Sequence, residues 1–258
     1  MTIPVILSTS SVYPDGVETA FAVARDLSFD GVEVMVLSDD SSRDASEIRD
    51  LIQTYQLPVP AIHAPTLLFT QRVWGTPWEK VDRSIALAQE VGASTVVMHP
   101  PFRWQVRYLG SFVRGVIARE LVSGVRLAVE NMFPWRLGRA FEIYRPDWDP
   151  TDDSYPSVTL DLSHTATSRS DPLAMAERLG GRLAHVHLAD GSGSFRDQHL
   201  PPGWGIEPCD AVLAHLTRSG FDGAVALEVN TRPYRAARRD EILTESLAFA
   251  RRYLAPAS

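Results

Sequence analysis

The chain alternates short β-rich runs with helical segments along almost its whole length, and this alternation restricts its fold more than any other feature. Eight runs are rich in apolar residues, and several are nearly all apolar, as strands buried on both faces of a parallel sheet are. They are Ile3–Ser8, Gly31–Leu37, Val59–Ala64, Ser94–His99, Val125–Glu130, Ser157–Asp161, Leu183–Leu188 and Ala224–Val229. Repeated strand–helix units of this kind predict an α/β fold around a parallel sheet.

The segments between these runs predict the helices that would cover such a sheet. They are Val17–Leu27, Ala45–Tyr55, Trp78–Val91, Gly110–Leu121, a short turn near Leu137–Tyr144, Pro172–Leu179, Cys209–Arg218 and Glu241–Leu254. Eight strands with eight helices predict a (β/α)8 TIM barrel, formed as one domain by residues 1–258. A doubly wound open sheet is the alternative, but its first strand is normally followed by a glycine-rich phosphate turn, which STSSVYPDG is not. The longest connection, residues 131–156, is rich in Pro, aromatic and Arg residues and is interpreted as a lid.

Charge and composition exclude several classes of partner. The net charge of −7 gives no overall attraction to polyanions, so nucleic acid is not an expected partner. No stretch reaches the 18 or more apolar residues needed to span a bilayer, so no membrane function is expected. The single cysteine, Cys209, cannot form an internal disulfide, and the N-terminal segment has no basic flank before its short apolar run. A cytoplasmic location is therefore the expectation.

Ionisable side chains fall at or beside the carboxyl ends of the predicted strands, where TIM barrels build their active sites. These side chains are His63, His99, Glu130, Asp161 and Glu228, and they are joined by His164, His187, Asp197 and His199. A single strand-end histidine is more often a hydrogen-bonded structural residue. The convergence of so many at one end instead favours a divalent-metal site. Imidazole nitrogen and carboxylate oxygen suit Zn, Mn, Fe or Co, with Mg less favoured because so many ligands are imidazoles.

The strand-end motifs resemble those of the xylose-isomerase-like barrels, which include endonuclease IV and the sugar-phosphate isomerases and epimerases. The matching segments are IHAP (62–65), MHPP (98–101), AVENM (128–132), LDLSH (160–164), HVHLAD (185–190), RDQHLPPGWG (196–205) and LEV (227–229). The similarity to endonuclease IV implies three zinc ions. His63, His99 and Glu130 would hold the first, Asp161, His187 and Glu228 the second with Glu130 bridging, and His164, Asp197 and His199 the third.

The resemblance to the epimerase branch implies a smaller set and a different reaction. There a single Mn, Co or Mg ion is held by Glu130, Asp161, His187 and Glu228; Glu130 and Glu228 move a proton, and His164 contacts substrate oxygens. We expect a metal-dependent isomerase or epimerase of a small sugar, sugar phosphate or polyol, with a trinuclear-zinc phosphoesterase as the alternative. A non-catalytic binding or metal-storage protein is the third hypothesis.

Arginine and tryptophan residues near the predicted active end are candidates for substrate binding. We assign this role to Arg103, Arg136, Arg196 and Trp104. The arginines would form bidentate contacts with phosphate or carboxylate groups. Solvated loop charges are the competing interpretation of the same residues. Exposed aromatic residues of these loops equally suit a contact between two copies of the chain, so a homodimer is possible.

Overall fold

The computed structural model describes residues 2–65, 73–134 and 143–255, and within them eight parallel strands close into one barrel. Each strand pairs with its neighbours in chain order, and the last pairs with the first. The strands are β1 (Val5–Ser8), β2 (Val32–Met35), β3 (Ala61–His63), β4 (Thr95–Met98), β5 (Arg126–Glu130), β6 (Val158–Asp161), β7 (Leu183–Leu188) and β8 (Ala224–Leu227). The predicted (β/α)8 barrel is confirmed, and the open-sheet alternative is wrong.

Helices on the outside of the barrel follow the strands. They are α1 (Val17–Asp26), α2 (Ala45–Tyr55), α3 (Pro77–Val91), α4 (Val106–Leu109), α5 (Phe112–Ser123), α6 (Leu162–Ser168), α7 (Pro172–Leu179), α8 (Cys209–Ser219) and α9 (Ala236–Leu254). Local sequence explains where several begin. The side chain of Thr76 accepts a hydrogen bond from Glu79 N while Glu79 caps Thr76 in return, and Asp44 and Asp171 cap α2 and α7. No helix within the described ranges is long and apolar enough to cross a membrane.

Several helices differ from the prediction, including α4, which was not predicted. Helix α9 begins at Ala236, five residues before the predicted Glu241, because AARRD continues the helical pattern without a glycine or proline. Helix α6, directly after β6, was not predicted from LSHTATS. The short turn near Leu137–Tyr144 lies largely outside the described residues, and at its end Tyr144 forms a bridge with Phe102 instead of a helical turn.

The strand register shows which side chains of the strands point into the barrel. Side chains alternate along a strand, so register partners share a face. Glu33 pairs with Ala61, Glu130 with Thr159, Asp161 with His187, and His187 with Ala226. The barrel interior therefore carries polar groups among small ones, including Ala61, Ala224 and Ala226, which leave room for them. The main apolar core lies between the barrel and its helices.

Candidate metal centre

All nine predicted ligands lie at the carboxyl end of the barrel. His63 ends β3, Glu130 ends β5 and Asp161 ends β6, whereas His99 and Glu228 follow β4 and β8 directly. His187 lies one residue before the end of β7, and Asp197 and His199 belong to the loop that follows it. His164 occupies the first turn of α6. The fold brings these side chains into three contiguous groups.

The first group consists of His63, His99 and Glu130. Glu130 Oε2 lies 3.0 Å from His99 Nε2 and 3.5 Å from His63 Nε2. The two imidazole rings stand edge to face, with centroids 5.1 Å apart. One donor atom from each residue lies within 4.8 Å of the others, which is a spacing that a shared cation requires.

The second group places three carboxylates around one imidazole nitrogen. His187 Nδ1 lies 2.9 Å from Glu228 Oε2, 3.2 Å from Glu130 Oε1 and 3.5 Å from Asp161 Oδ2. These four residues come from four different strand ends and are nearly inaccessible to solvent. Glu130 uses its other oxygen for the first group, so its carboxylate connects the two.

The third group gathers around Asp197. Asp197 Oδ2 lies 2.8 Å from His199 Nε2 and 3.2 Å from His164 Nε2. Asp161 is shared with the second group, because a donor atom of Asp161 lies within 4.8 Å of donors on His164 and His199. The backbone of His199 has a φ of 46°, a conformation that non-glycine residues rarely adopt and that occurs disproportionately at functional sites.

Backbone carbonyls fix the orientation of three of the histidines. Nδ1 of His63 lies 2.9 Å from Ala64 O, Nδ1 of His164 lies 2.8 Å from Asn131 O, and Nδ1 of His199 lies 2.9 Å from Glu228 O. A carbonyl oxygen only accepts, so each Nδ1 carries the hydrogen. When Nε2 has lost its proton, its lone pair is the one available to a cation, as in a metal-ligating histidine.

Opposite charges at the centre shift the pKa values of its groups. Burial by itself would raise the pKa of Glu130, but the charges of His187 and His99 hold it well below its usual range. Burial opposes a low pKa at Glu228 too, yet His187 lowers it to about 2. Burial lowers the pKa of His164, but Asp161 and Asp197 outweigh it and raise the value to about 10. Both glutamates are therefore ionised at neutral pH and are compensated by protonated histidines.

Unpartnered oxygens indicate that these residues fit a cation. Glu130 Oε2 and Asp161 Oδ2 are buried and make no hydrogen bond within the described part of the chain. Glu130 Oε2 approaches His99 Nε2 to 3.0 Å without the alignment of a hydrogen bond. A buried carboxylate oxygen in this state is costly unless something positive completes it. The donor set of imidazoles and carboxylates suits Zn, Mn or Co.

Two buried polar side chains hold the frame of the site. The amide of Asn131 clasps the end of β6: its Nδ2 donates to Asp161 O, and its Oδ1 accepts from Asp161 N. Asp190, after β7, accepts from four backbone N–H groups of residues 191, 203, 205 and 207 at 2.7–3.0 Å. Asp190 thus closes the loop that carries Asp197 and His199.

The predicted substrate-binding residues are distributed around the mouth of the barrel. Arg103 and Trp104 are exposed after β4, where the Trp104 ring stacks on Phe102 with centroids 4.7 Å apart. Arg196 is exposed beside Asp197, and its guanidinium lies over the ring of Phe195. Arg136 lies outside the described residues, together with the rest of the segment 135–142 of the proposed lid 131–156.

Sequence reasoning did not find Glu33, a carboxylate that is fully buried inside the barrel. It lies 2.8 Å from His185 Nε2 and 3.3 Å from His187 Nε2. Burial alone would raise the pKa of Glu33, but His187 and His185 keep it well below its usual range. The available signal was a single charged residue within the otherwise apolar strand VEVM.

A sizeable cavity lies away from this centre. It measures about 870 Å³ and opens at the amino ends of the strands, between the start of β1, the α8–β8 connection and the end of α9. Its lining includes Ile3, Leu216, Phe221 and Leu254 and none of the nine predicted ligands. TIM-barrel active sites occupy the opposite end, so the side-chain cluster, and not this cavity, is the candidate functional site.

Known proteins are similar to this chain over most of its length. A family model described as a xylose isomerase-like TIM barrel matches residues 21–253. An uncharacterized protein of Mycobacterium tuberculosis is 47% identical, over 98% of this chain and 98% of its own. The 3-dehydroshikimate dehydratase of Pseudomonas aeruginosa is 27% identical over 90% of this chain, which corresponds to 38% of that enzyme.

Solved structures share the barrel at low sequence identity. The 3-keto-D-glucoside 4-epimerase of Escherichia coli superposes with a TM-score of 0.72 at 16% identity, covering 97% of this chain and 99% of its own. The IOLI protein, solved with a zinc atom, superposes with a TM-score of 0.71 at 14% identity, covering 99% of this chain and 100% of its own. At these identities the agreement concerns the fold.

Proposed function

Because this chain belongs to the xylose isomerase-like TIM barrel family, we propose that it is a metal-dependent isomerase or epimerase of a small sugar, sugar phosphate or polyol. The family expected from the strand-end motifs is confirmed. The reaction and the substrate class are inferred from the site. The epimerase name of one structural neighbour is in line with this proposal.

The arrangement of Glu130 and Glu228 carries the proposal. Both carboxylates reach the same nitrogen of His187, at 3.2 and 2.9 Å, from strand ends that are not adjacent in the barrel. A substrate carbon held above this nitrogen would have one carboxylate on each side. Transfer of a proton from one face of a carbon to the other needs two such groups.

The ionisation of the two glutamates suits this role. Both are ionised at neutral pH in the metal-free protein, which is the protonation state that a general base needs. Glu130, Asp161, His187 and Glu228 would hold the cation, which when bound polarises a carbonyl and the adjacent hydroxyl and acidifies the C–H between them. His164, positively charged up to a pH of about 10 in the metal-free protein, would bind substrate oxygens at the edge of this quartet.

The exposed residues at the mouth complete the proposed substrate site. Arg103 and Arg196 would bind a phosphate or carboxylate of the substrate, and Trp104 would form an apolar wall. Arg136 keeps the same proposed role. A small substrate, with no nucleic-acid partner, is proposed from the net charge of −7. A homodimer remains a prediction.

A second candidate function is a trinuclear-zinc phosphoesterase. It is favoured by the two groups that an epimerase quartet does not need, namely His63 with His99, and His199 with Asp197. The chemistry expected of a three-cation centre is hydrolysis of a phosphate ester. In this function all nine side chains would be ligands, and Glu130 would join the first two groups.

Metal content and deuterium exchange test the two functions. The protein is purified without chelators, its metals are counted per chain, and it is incubated in D2O with a panel of ketoses and ketose phosphates. The isomerase proposal expects about one metal per chain and deuterium beside the carbonyl of an accepted sugar. Both Glu130→Gln and Glu228→Gln should abolish the exchange, whereas Glu120→Gln, far from the site, should retain it. Full exchange by Glu228→Gln would contradict the proposed site.

The double change Asp197→Ala with His199→Ala separates the functions within one protein. The quartet contains neither residue, so the isomerase proposal expects unchanged metal content and a modest change in substrate affinity. The phosphoesterase proposal expects about one zinc fewer, out of about three, with hydrolysis of a chromogenic phosphodiester slowed by orders of magnitude. Loss of one zinc ion per chain together with this slower hydrolysis would contradict the isomerase proposal and support the phosphoesterase.

A further inference from the structure

His187 differs from the other oriented histidines in the partner of its second nitrogen. His63, His164 and His199 each direct Nδ1 to a backbone carbonyl. The ring of His187 is reversed: Nδ1 faces the cluster, and Nε2 lies 3.3 Å from each oxygen of Glu33. A charged carboxylate from β2 thus occupies the place that a neutral carbonyl takes elsewhere.

The surroundings of Glu33 hold its carboxylate at this position. It lies in the barrel interior beside Ala61, its register partner, whose small side chain leaves space for it. His185, two residues before His187 on β7, approaches the same carboxylate at 2.8 Å. The rings of His185 and His187 stand at 88° with centroids 5.2 Å apart, and Nε2 of each ring lies within 3.3 Å of the Glu33 carboxylate. Glu33 is therefore packed and paired on the side away from the barrel mouth.

We propose that Glu33 is a positioning residue of the metal centre: its carboxylate accepts the Nε2–H of His187 and thereby presents the Nδ1 lone pair to the cation. The inference rests on the proposed function, because it assumes that His187 is a ligand. An ionised carboxylate only accepts, so it selects the tautomer with hydrogen on Nε2. A carboxylate partner raises the basicity of a metal-ligating imidazole more than a neutral carbonyl does.

A fourth cation between Glu33, His185 and His187 is the competing explanation, because donors of these residues also lie within 4.8 Å of one another. Such an ion would need the Nε2 lone pair of His187 while Nδ1 serves the carboxylate quartet, and a neutral imidazole has only one lone pair in its ring plane available. The geometry therefore favours a hydrogen bond from His187 to Glu33 over a cation between Glu33, His185 and His187.

Cobalt binding to Glu33→Gln tests the proposal. The amide has nearly the size of the carboxylate but carries no charge, and one of its two polar atoms donates instead of accepting. We expect the dissociation constant for Co²⁺, measured by competition with a chromophoric chelator, to rise 10- to 100-fold. The visible spectrum of the cobalt-loaded protein should also change, since the imidazole is reoriented. Glu120→Gln is the matched control: this carboxylate binds Leu127 N and Ser157 Oγ away from the centre, and its removal should leave the Co²⁺ constant unchanged.

The outcomes separate the possible roles of Glu33. A wild-type Co²⁺ constant and spectrum in Glu33→Gln would overturn the positioning role. The wild-type protein could also bind more than the one cobalt ion expected at the quartet. If Glu33→Gln then bound one cobalt ion fewer per chain, Glu33 would be a ligand, and the positioning role would be overturned. If Glu33→Gln does not fold, Glu33→Asp must show the weakened Co²⁺ binding, and a wild-type constant there refutes the proposal. Weakened binding together with no deuterium exchange by wild-type protein would support the positioning role and count against the isomerase. A wild-type protein that binds no Co²⁺ would overturn both.

Discussion

Replacing Asp197 by Asn should lower the pKa of His164 by about two units in metal-free protein. The carboxylate of Asp197 lies 3.2 Å from His164 Nε2, and its charge is one of the main causes that raise the pKa of His164 to about 10. The amide keeps the size of the side chain and removes the charge. The substitution therefore isolates the electrostatic contribution of Asp197.

The magnitude follows from the distance and the exposure. Two unit charges 3.2 Å apart attract by roughly 5 kcal/mol at an effective dielectric constant of about 20. The side chain of Asp197 is 24% exposed, so solvent screening reduces this value to about half. At about 1.4 kcal/mol per unit, the expected fall is about two units. Asp161 and Glu130 remain close to His164, so its pKa should stay above the ordinary 6.5.

Proton NMR of the imidazole Cε1–H signals measures this pKa in protein freed of metal by a chelator. The signal of His164 is assigned as the one missing from His164→Gln. Asp222→Asn is the matched control, because Asp222 pairs with Arg126 at the other end of the barrel and its loss should leave His164 titrating at about 10. A His164 pKa that stays at about 10 in Asp197→Asn would refute the reasoning and would assign the raised value to Asp161 and Glu130.

Three further predictions concern stability and reactivity. Metal-free protein should lose stability as the pH rises from about 6.5 to 10, because folded His164 keeps its proton up to a pH of about 10 while the unfolded residue releases it near 6.5. Urea unfolding at several pH values measures this loss, and a free energy of unfolding that rises over this range would contradict the prediction. Asp190→Ala should lower the free energy of unfolding by about 3–5 kcal/mol, since four backbone N–H groups lose their acceptor. A loss below about 1 kcal/mol in urea unfolding would mean that water replaces the carboxylate as acceptor. Cys209 is 1% exposed, and burial raises the pKa of its thiol, so a disulfide reagent should label it orders of magnitude faster in urea than in the native protein; equal rates would place it at the surface.

The convergence of these side chains at one end of the barrel could be predicted from the sequence because two general rules lead to it. Parallel strands of a barrel all end at one face, so His63, Glu130 and Asp161 meet whatever the details of the helices are. Each of these residues ends an apolar run, which made it visible without knowledge of the strand register. The division of Glu130 between two groups, by contrast, depends on rotamers that no sequence pattern encodes.

Glu33 and α6 escaped prediction for physical reasons. Glu33 lies in the middle of β2, and its partner His187 lies on β7, which is not adjacent to β2. Only the closure of the barrel brings their side chains together, because period-two alternation does not say which face of an isolated strand is the interior. Helix α6 has no amphipathic repeat in LSHTATS; it begins where the Asp161 side chain accepts from His164 N, a local cap that a seven-residue segment does not reveal.

The two hydrogen bonds between the Asn131 side chain and the Asp161 backbone have a consequence for the evolution of such an enzyme. The side chain of Asn131 bonds both the N–H and the C=O of Asp161, and the backbone carbonyl of Asn131 orients His164, so the ends of β5 and β6 are joined directly at the site. Insertions, deletions and drift in the 131–156 connection downstream of Asn131 need not disturb the reacting groups. Under the proposed role of this connection as a lid, a duplicated copy of the chain could acquire a new specificity by changes there while these contacts keep Asp161 and His164 in place.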